Sequence, residues 1–359
     1  MVDLARGQIS RGHRVGLIAD SGTGGSRADD IFAELLPQLA LGLSRIPMSR
    51  LTGPQDLPAV WHVSRRSRRS AADVVHGHGA KGGAYARLAV AGRRALRAYT
   101  PHGGSLHFGR DTLAGKIYLA TETLLMRRGG LYLFESAYSA EMFRAKIGEP
   151  RGLVRVVHNG VSAAEFAPVA LAADASDLLF LGEFRLLKGI DILADALALL
   201  ARGGRRVTAT FVGDGPDGAV LRATIERHGL QASIRIMPPM PARRAMALGR
   251  IMVVPSRAES LPYVVLEAAA SGKPLIAARV GGIPEIYGPL SDALVSPHSH
   301  EALAEAIGRT LDNPATAADL AQKLQQRVAA GFSLDSMVDG VLDCYRLALD
   351  PDRVKNARR

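Results

Sequence analysis

The sequence predicts an α/β protein of two domains, each a parallel sheet covered by helices, with a cleft between them. Three observations carry this. Short apolar runs alternate with helical stretches from residue 15 onward. In the second half the apolar runs are continuous, as expected of strands covered on both faces. A loose Ala-rich stretch over residues 161–176 interrupts the alternation once, and the alternation then restarts.

Taken in order, residues 2–13 read as a helix running into a strand, on Val2, Leu4, Ala5, Ile9 and the Arg11-Gly12-His13 turn. No strand precedes that helix, although an α/β domain ordinarily opens with one. Strands are predicted over residues 15–19, 73–78, 95–100, 131–134 and 154–157, with helices such as 81–91 and 139–147 between them. His158-Asn159-Gly160 reads as a turn, because Asn and Gly suit positive φ. The interdomain linker is placed at 161–176. Further strands follow over 177–182, 207–212, 233–237, 251–255, 274–278 and 293–295. A last helix, 332–348, has Ser333 as its cap.

Composition narrows the function classes. The chain has 359 residues, 47% of them hydrophobic and 22% charged, which suits a folded globular protein with two cores. Cys344 is the only cysteine, so an intramolecular disulfide and a zinc–thiolate cluster are excluded and a reducing compartment is expected. No apolar run approaches the roughly 20 residues that span a bilayer. The polar sequence after Met1 predicts no signal peptide. Residues 1–160 carry 23 Lys and Arg against 12 Asp and Glu, whereas the remainder carries 22 of each. All of the +11 net charge therefore lies in the first half, which predicts contact with an anionic partner. Nucleic acid is disfavoured, since aromatics make up only 5% and are not interleaved with the basic residues. Over residues 110–128, Leu113, Ile117, Ala120 and Leu124 share one helical face beside Lys116, Arg127 and Arg128. Such a face suits a membrane surface. The commoner reading of the pattern is a core-packed helix with its basic residues outside.

The most informative segment is Val254-Pro255-Ser256-Arg257-Ala258-Glu259-Ser260-Leu261-Pro262, continuing through Glu267 to Ser271-Gly272-Lys273-Pro274. A strand ends at Pro255 and a helix begins near Pro262, where proline is tolerated. Amides at such a helix start can hold phosphate or sugar hydroxyls, and a carboxylate beside them accepts strong hydrogen bonds from hydroxyls. Taken alone, Glu259 would more simply be a carboxylate favouring the helix dipole. Gly22-Thr23-Gly24-Gly25 superficially resembles a dinucleotide-binding loop, but Arg27 stands at the third glycine position, which leaves little support for NAD.

Four segments together resemble the glycosyltransferase group 1 family (family 4), retaining enzymes whose GT-B fold has two Rossmann-like domains facing across a cleft. They are the Glu259…Glu267 segment, Phe180-Leu181-Gly182-Glu183-Phe184-Arg185-Leu186-Leu187-Lys188-Gly189, Phe211-Val212-Gly213-Asp214-Gly215-Pro216, and Gly281-Gly282-Ile283-Pro284-Glu285. The resemblance implies a metal-independent hexosyltransferase that takes a nucleotide-sugar donor and needs no cofactor. UDP is the favoured base, with GDP as the alternative. It implies that Glu259, with the amides of Ser260 and Leu261, holds the donor hexose and phosphate, and that Glu267 holds the ribose. Lys188 would neutralise the diphosphate leaving group, and Gly213 and Gly215 would let the backbone approach the nucleotide. The family commonly has Arg where this chain has Glu183, and Arg185 is the substitute.

In the first half, Asp73-Val74-Val75-His76-Gly77-His78 and Tyr99-Thr100-Pro101-His102-Gly103 resemble the family's strand ends, which makes His102 the candidate catalytic histidine. His76 and His78 lack a carboxylate or cysteine cluster and read as cleft-lining or packing residues. Glu135-Ser136 resembles a segment bordering the acceptor. The implied domains are 1–165 on the acceptor side with its first strand and Gly-rich loop missing, 166–332 for the nucleotide-sugar, and 333–359 as a helix crossing back plus a tail. A start placed downstream of the true one accounts for that missing strand. The acceptor is expected to be lipid-linked or a polysaccharide, in envelope glycan synthesis. The expected location is the cytoplasm, peripheral at the inner membrane face, with residues 1–160 toward the anionic surface. The rival readings are a nucleotide-sugar-binding protein without turnover and a nucleotide-sugar epimerase.

Overall fold

The computed structural model describes residues 1–48, 53–92, 95–104, 109 and 111–350. The chain divides into two compact units, one of Met1–His158 with Leu334–Arg359 and one of Asn159–Ser333.

The first unit runs α1 (Val2–Ser10), β1 (Leu17–Asp20), α2 (Gly25–Leu35), β2 (Leu43–Ile46), α3 (Leu57–Arg69), β3 (Val74–His78), α4 (Gly79–Leu88) and β4 (Leu96–Thr100). It continues through α5 (Leu113–Leu125), β5 (Leu131–Phe134), α6 (Ala137–Lys146) and β6 (Leu153–Val156). Strands β3-β4-β5-β6 form one parallel sheet in that order, and β1-β2 form a separate parallel pair with Leu17 opposite Leu43. β1 and β3 share no ladder. Ile18 of β1 and Val75 of β3 nevertheless pack against the same cluster of Ala59, Val63, Tyr85 and Ala89. The sheet is thus interrupted between β1 and β3.

Strand alternation sorts β4 onto two faces. Leu96 and Ala98 pack with Met337, Val338, Val341 and Leu342 of α14 (Leu334–Leu349), while Tyr99 packs with Leu119 of α5. The last helix of the chain therefore belongs to the first unit, against β4, β5 and α1. On the opposite face α4 is tied to α5 by a buried ion pair. Arg87 donates to Glu122 at 2.7 Å, Tyr99 donates to the same carboxylate at 2.7 Å, and the Arg87 guanidinium lies over the Tyr99 ring.

The second unit runs β7 (Ser176–Leu181), α7 (Ile190–Arg202), β8 (Ala209–Val212), α8 (Gly218–Arg227), β9 (Ile234–Met237), α9 (Ala242–Met246) and β10 (Gly249–Val254). It ends with α10 (Tyr263–Ala270), β11 (Leu275–Ala277), α11 (Ile283–Tyr287), α12 (His300–Asp312) and α13 (Pro314–Gly331). Its five strands are all parallel, in the order β11-β10-β7-β8-β9. Leu178 and Phe180 face one core with α7, and Leu179 faces the other with α10, which is why this strand is apolar without a break.

Three sequence expectations are corrected here. The predicted strand at 293–295 is a single bridge between Val295 and Ala278. The expected linker at 161–176 is part of the second unit. Val161 pairs with Ser333, and Phe166 and Val169 pack on its core, so the chain passes between units at His158–Asn159. Neither Asn159 nor Gly160 has positive φ. Among the described residues no helix is long and apolar enough to cross a membrane.

Candidate active site

In the second unit the chain leaves β7 toward β8 and β9 and then returns to β10 on the other side of β7. The carboxyl ends of β7 and β10 are therefore the switch point, where parallel sheets of this kind leave room for a ligand. The predicted donor-site segments meet around it. The loop after β8 presses so closely on the loop after β7 that a Cβ at Gly213 would stand 1.9 Å from the Gly182 carbonyl oxygen. One at Gly215 would stand 2.6 Å from that of Phe184. These glycines are required by the approach of one loop to another, a reason distinct from the nucleotide contact expected of them.

Glu259 is buried at this point, 6% exposed. Lys188 Nζ donates to its two carboxylate oxygens at 2.8 and 2.9 Å, and Ser256 Oγ donates to Oε1 at 2.7 Å. Two neighbours without an expected role in the site, Arg257 and Asn159, hold this arrangement. Arg257 grips Asp191 of α7 with two hydrogen bonds of 2.7 and 2.6 Å and also donates to the Leu186 carbonyl, while its amide donates to the Leu187 carbonyl at 2.8 Å. Burial would raise the Asp191 pKa, but the Arg257 hydrogen bonds and charge hold it below the usual carboxylate value. The 3-10 turn Leu186–Lys188 is thus sewn to the Glu259 loop, which aims Lys188 at the carboxylate.

Asn159 is the second such residue. It is buried, and its Nδ2 donates to the Leu261 carbonyl at 2.9 Å. The Gly282 amide donates to the Ser260 carbonyl at 2.7 Å, so both carbonyls of the Ser260-Leu261 pair are taken by protein donors. Glu267 lies half-buried on α10, one turn beyond Tyr263. Arg185 is half-exposed with its Nη1 3.8 Å from the Glu183 carboxylate, so the two side chains share one side of the loop after β7. Lys273, also in the motif, is anchored elsewhere. It donates to the carbonyl of Gly249 at the start of β10, and burial lowers its pKa to about 8.

In the first unit, His78 at the end of β3 and His102 just after β4 stack with ring centroids 5.2 Å apart, His78 Nδ1 lying 2.9 Å from His102 Nε2. His102 occupies a left-handed conformation, φ +52°. The residue keeps an exposed face, yet desolvation of its ring lowers its pKa, with the Glu135 charge opposing. His76 is held between Tyr345 Oη at 2.6 Å and Thr100 Oγ1 at 2.8 Å. Burial, assisted by repulsion from His102, lowers its pKa to about 3. Burial also takes His78 well below the ordinary value, so all three rings shift toward the neutral form. The His76 ring lies 4.1 Å, centroid to centroid, from that of His78. Glu135 is buried and accepts from Ser139 Oγ at 2.8 Å, and Ser136 caps α6. Among the described residues no group of three or more His, Cys, Asp or Glu side chains forms a metal-binding set.

Two units of helix-covered parallel sheet, the second with a buried carboxylate at its switch point, fit the GT-B class of glycosyltransferases. A model of Glycosyltransferase Family 4 matches residues 1–165, and one of Glycosyl transferases group 1 matches residues 175–313. D-inositol 3-phosphate glycosyltransferase 1 of Catenulispora acidiphila is 31% identical over 309 residues, 78% of this chain and 73% of that protein. The corresponding protein of Acidothermus cellulolyticus is 34% identical over 62% of this chain, which spans about half of its length (52%). Sucrose-phosphate synthase from Thermosynechococcus elongatus superposes with a TM-score of 0.78 at 23% identity, over 96% of this chain and 91% of that one. Anabaena HepE, solved in complex with UDP-glucose, superposes with a TM-score of 0.75 at 21% identity, over 95% and 94% of the two chains. The chain belongs to the group 1 glycosyltransferases of family 4.

Proposed function

We propose that this protein transfers a hexose from a UDP-sugar to a hydroxyl of a lipid-linked or polysaccharide acceptor, with retention of anomeric configuration, in envelope glycan synthesis on the cytoplasmic side of the membrane. The observation that carries the reading is the Lys188–Glu259 pair at the switch point of the second unit. A buried carboxylate there can accept hydrogen bonds from sugar hydroxyls, and the ammonium beside it can move to the departing diphosphate. Arg185, half-exposed and engaged only at 3.8 Å, adds a second cation for that leaving group. Ser260 and Leu261 hold the donor phosphate through their amides, and Glu267 holds the ribose. His102, whose partial desolvation favours the neutral ring, takes the role of catalytic histidine at the reacting carbon. The bond from the sugar's anomeric carbon to the diphosphate breaks, the acceptor oxygen bonds to that carbon, and the acceptor proton leaves with the nucleoside diphosphate.

UDP as the base is supported by the HepE structures, which hold UDP and UDP-glucose. A second acceptor class, a phosphorylated cyclitol, is supported by the curated relatives, named D-inositol 3-phosphate glycosyltransferases. The test is nucleoside diphosphate release and product formation from UDP-, GDP- and ADP-hexoses, with lipid-linked, polysaccharide and inositol phosphate acceptors. Transfer that needs an acceptor and is lost in Glu259→Gln supports the proposal. Donor binding without turnover, or a sugar epimer formed without acceptor, contradicts it.

A further inference from the structure

Helices α3, α4 and α5 lie side by side over one face of the four-stranded sheet, with α4 between the other two. Their outward surface is both apolar and basic. On α3, Leu57 is 67% and Trp61 59% exposed, one turn apart, and Arg65, Arg68 and Arg69 continue the exposed side. The Arg65 guanidinium lies 5.3 Å from the centre of the Trp61 ring. On α5, Leu113 is 76%, Ile117 48% and Leu124 73% exposed, with Lys116 beside them and Arg127 and Arg128 in the next turn. Leu88 and Val90 are exposed at the end of α4. Seven of the fourteen exposed large hydrophobic side chains among the described residues therefore lie on this one layer.

The rotation of α5 is fixed from within. Leu119 and Leu125 are buried, and Glu122 is locked to Arg87 and Tyr99, so the spacing of residues 113, 117 and 124 turns them outward together. The charge on this layer has one sign. α3 and α4 contain no acidic residue, and the single one on α5, Glu122, is the buried partner of Arg87. Arg127 and Arg128 also line, with Arg97 and with Ala348 and Leu349 of α14, a cavity of about 330 Å³ at the start of β4. A face that adjoined only water would have no need of exposed leucines, and a contact with a second copy of the chain would set these cations against like charge.

We propose that the outer face of the α3–α4–α5 layer docks on an anionic phospholipid bilayer. Trp61, Leu113, Ile117 and Leu124 enter the headgroup zone, where an amphipathic tryptophan is at home, and Arg65, Arg68, Arg127 and Arg128 pair with lipid phosphates. The inference deepens the membrane-side part of the reading above and is independent of its transfer chemistry.

Trp61 is the only tryptophan in the chain, so its emission reports on this face alone. The protein is mixed with vesicles of phosphatidylcholine, with and without phosphatidylglycerol, and no sugar donor is added. Expected are sedimentation with the anionic vesicles that weakens as salt rises, and a shift of Trp61 emission to shorter wavelength. The triple variant Leu113→Gln, Ile117→Gln, Leu124→Gln alters only exposed positions and keeps the wild-type melting temperature, but binds at least about tenfold more weakly. Absence of sedimentation, sedimentation with unshifted emission, or full binding by the triple variant overturns the proposal. So does a concentration-dependent emission shift without vesicles that tracks dimer formation. Because no donor is used, failure here leaves the transfer reading standing, and loss of transfer leaves this result standing.

Discussion

Lys188 and Glu259 lie 71 positions apart in sequence, yet the lysine ammonium reaches both oxygens of the buried carboxylate, at 2.8 and 2.9 Å. A buried carboxylate needs such a partner, and this partner is 30% exposed and able to leave. On the proposed function, the pair is the resting form of a donor site whose cation is delivered when a diphosphate arrives. Lys188→Met is expected to lower kcat/KM for the donor by about 10²–10³ and to lower the melting temperature as well, because it leaves the Glu259 carboxylate buried without its cation. Steady-state kinetics and a thermal melt of the same sample check this.

Arg257 holds this arrangement without belonging to the donor set. Replacing it by Ala removes both bonds to Asp191 and the side-chain bond to the Leu186 carbonyl, which loosens the Leu186–Lys188 turn while the backbone bond to the Leu187 carbonyl stays. The expected cost is about 1–2 kcal/mol of stability, since the pair is partly exposed. Donor kcat/KM is expected to fall about ten- to a hundredfold through misplacement of Lys188. Lysine at the same position should recover little, because it cannot make the forked contact. Denaturant titration and donor kinetics separate the two effects.

Gly281 has φ +57°, and a Cβ there would stand 1.7 Å from the carbonyl oxygen of Glu259. Gly281→Ala is expected to cost at least about 2 kcal/mol and to displace the Glu259 loop. Binding of UDP, followed by calorimetry, should weaken with it.

The His76 pKa, lowered to about 3 by burial, makes stability depend on pH in a defined direction. Below the unfolded value near 6.5 the unfolded chain gains a proton that the folded ring refuses until pH approaches 3. Stability contributed by neutral His76 is therefore present above pH 6.5 and lost progressively as pH falls. His78 and His102 shift the same way. In His76→Gln one of these groups is removed, so the stability advantage of the wild type should narrow between pH 6.5 and 4.5. A difference that stays constant with pH would contradict the assignment. Chemical denaturation at several pH values measures it.

Much of the second unit was legible because its strands are buried on both faces and its loops carry unusual residues at fixed places. Leu178-Leu179-Phe180 and the Glu259 segment signal strand and site directly. β2 was missed because Leu43-Ser44-Arg45-Ile46 is a short, half-buried edge strand without continuous apolar character. The stretch after Gly160 looked like a linker since Val161, Phe166 and Val169 follow no helical or strand period, and only their packing on the second core makes them structural. Asn159 reads in sequence as a turn former. Its buried bond to Leu261, 102 positions away, has no local signal. The apolar face of α5 was visible as a pattern whose commoner reading is a core-packed helix, and the structure corrects this, since Leu113, Ile117 and Leu124 are exposed. The buried partnership of Glu122 with Arg87 sets that orientation.

The central claim is tested most directly by mixing this chain with UDP-hexoses and the three acceptor classes and measuring UDP release together with the glycosylated product, for wild type and Glu259→Gln. The account predicts acceptor-dependent transfer with retained configuration by the wild type and none by a folded Glu259→Gln protein. Equal transfer by the two, or UDP-sugar binding with no transfer to any acceptor, would contradict it.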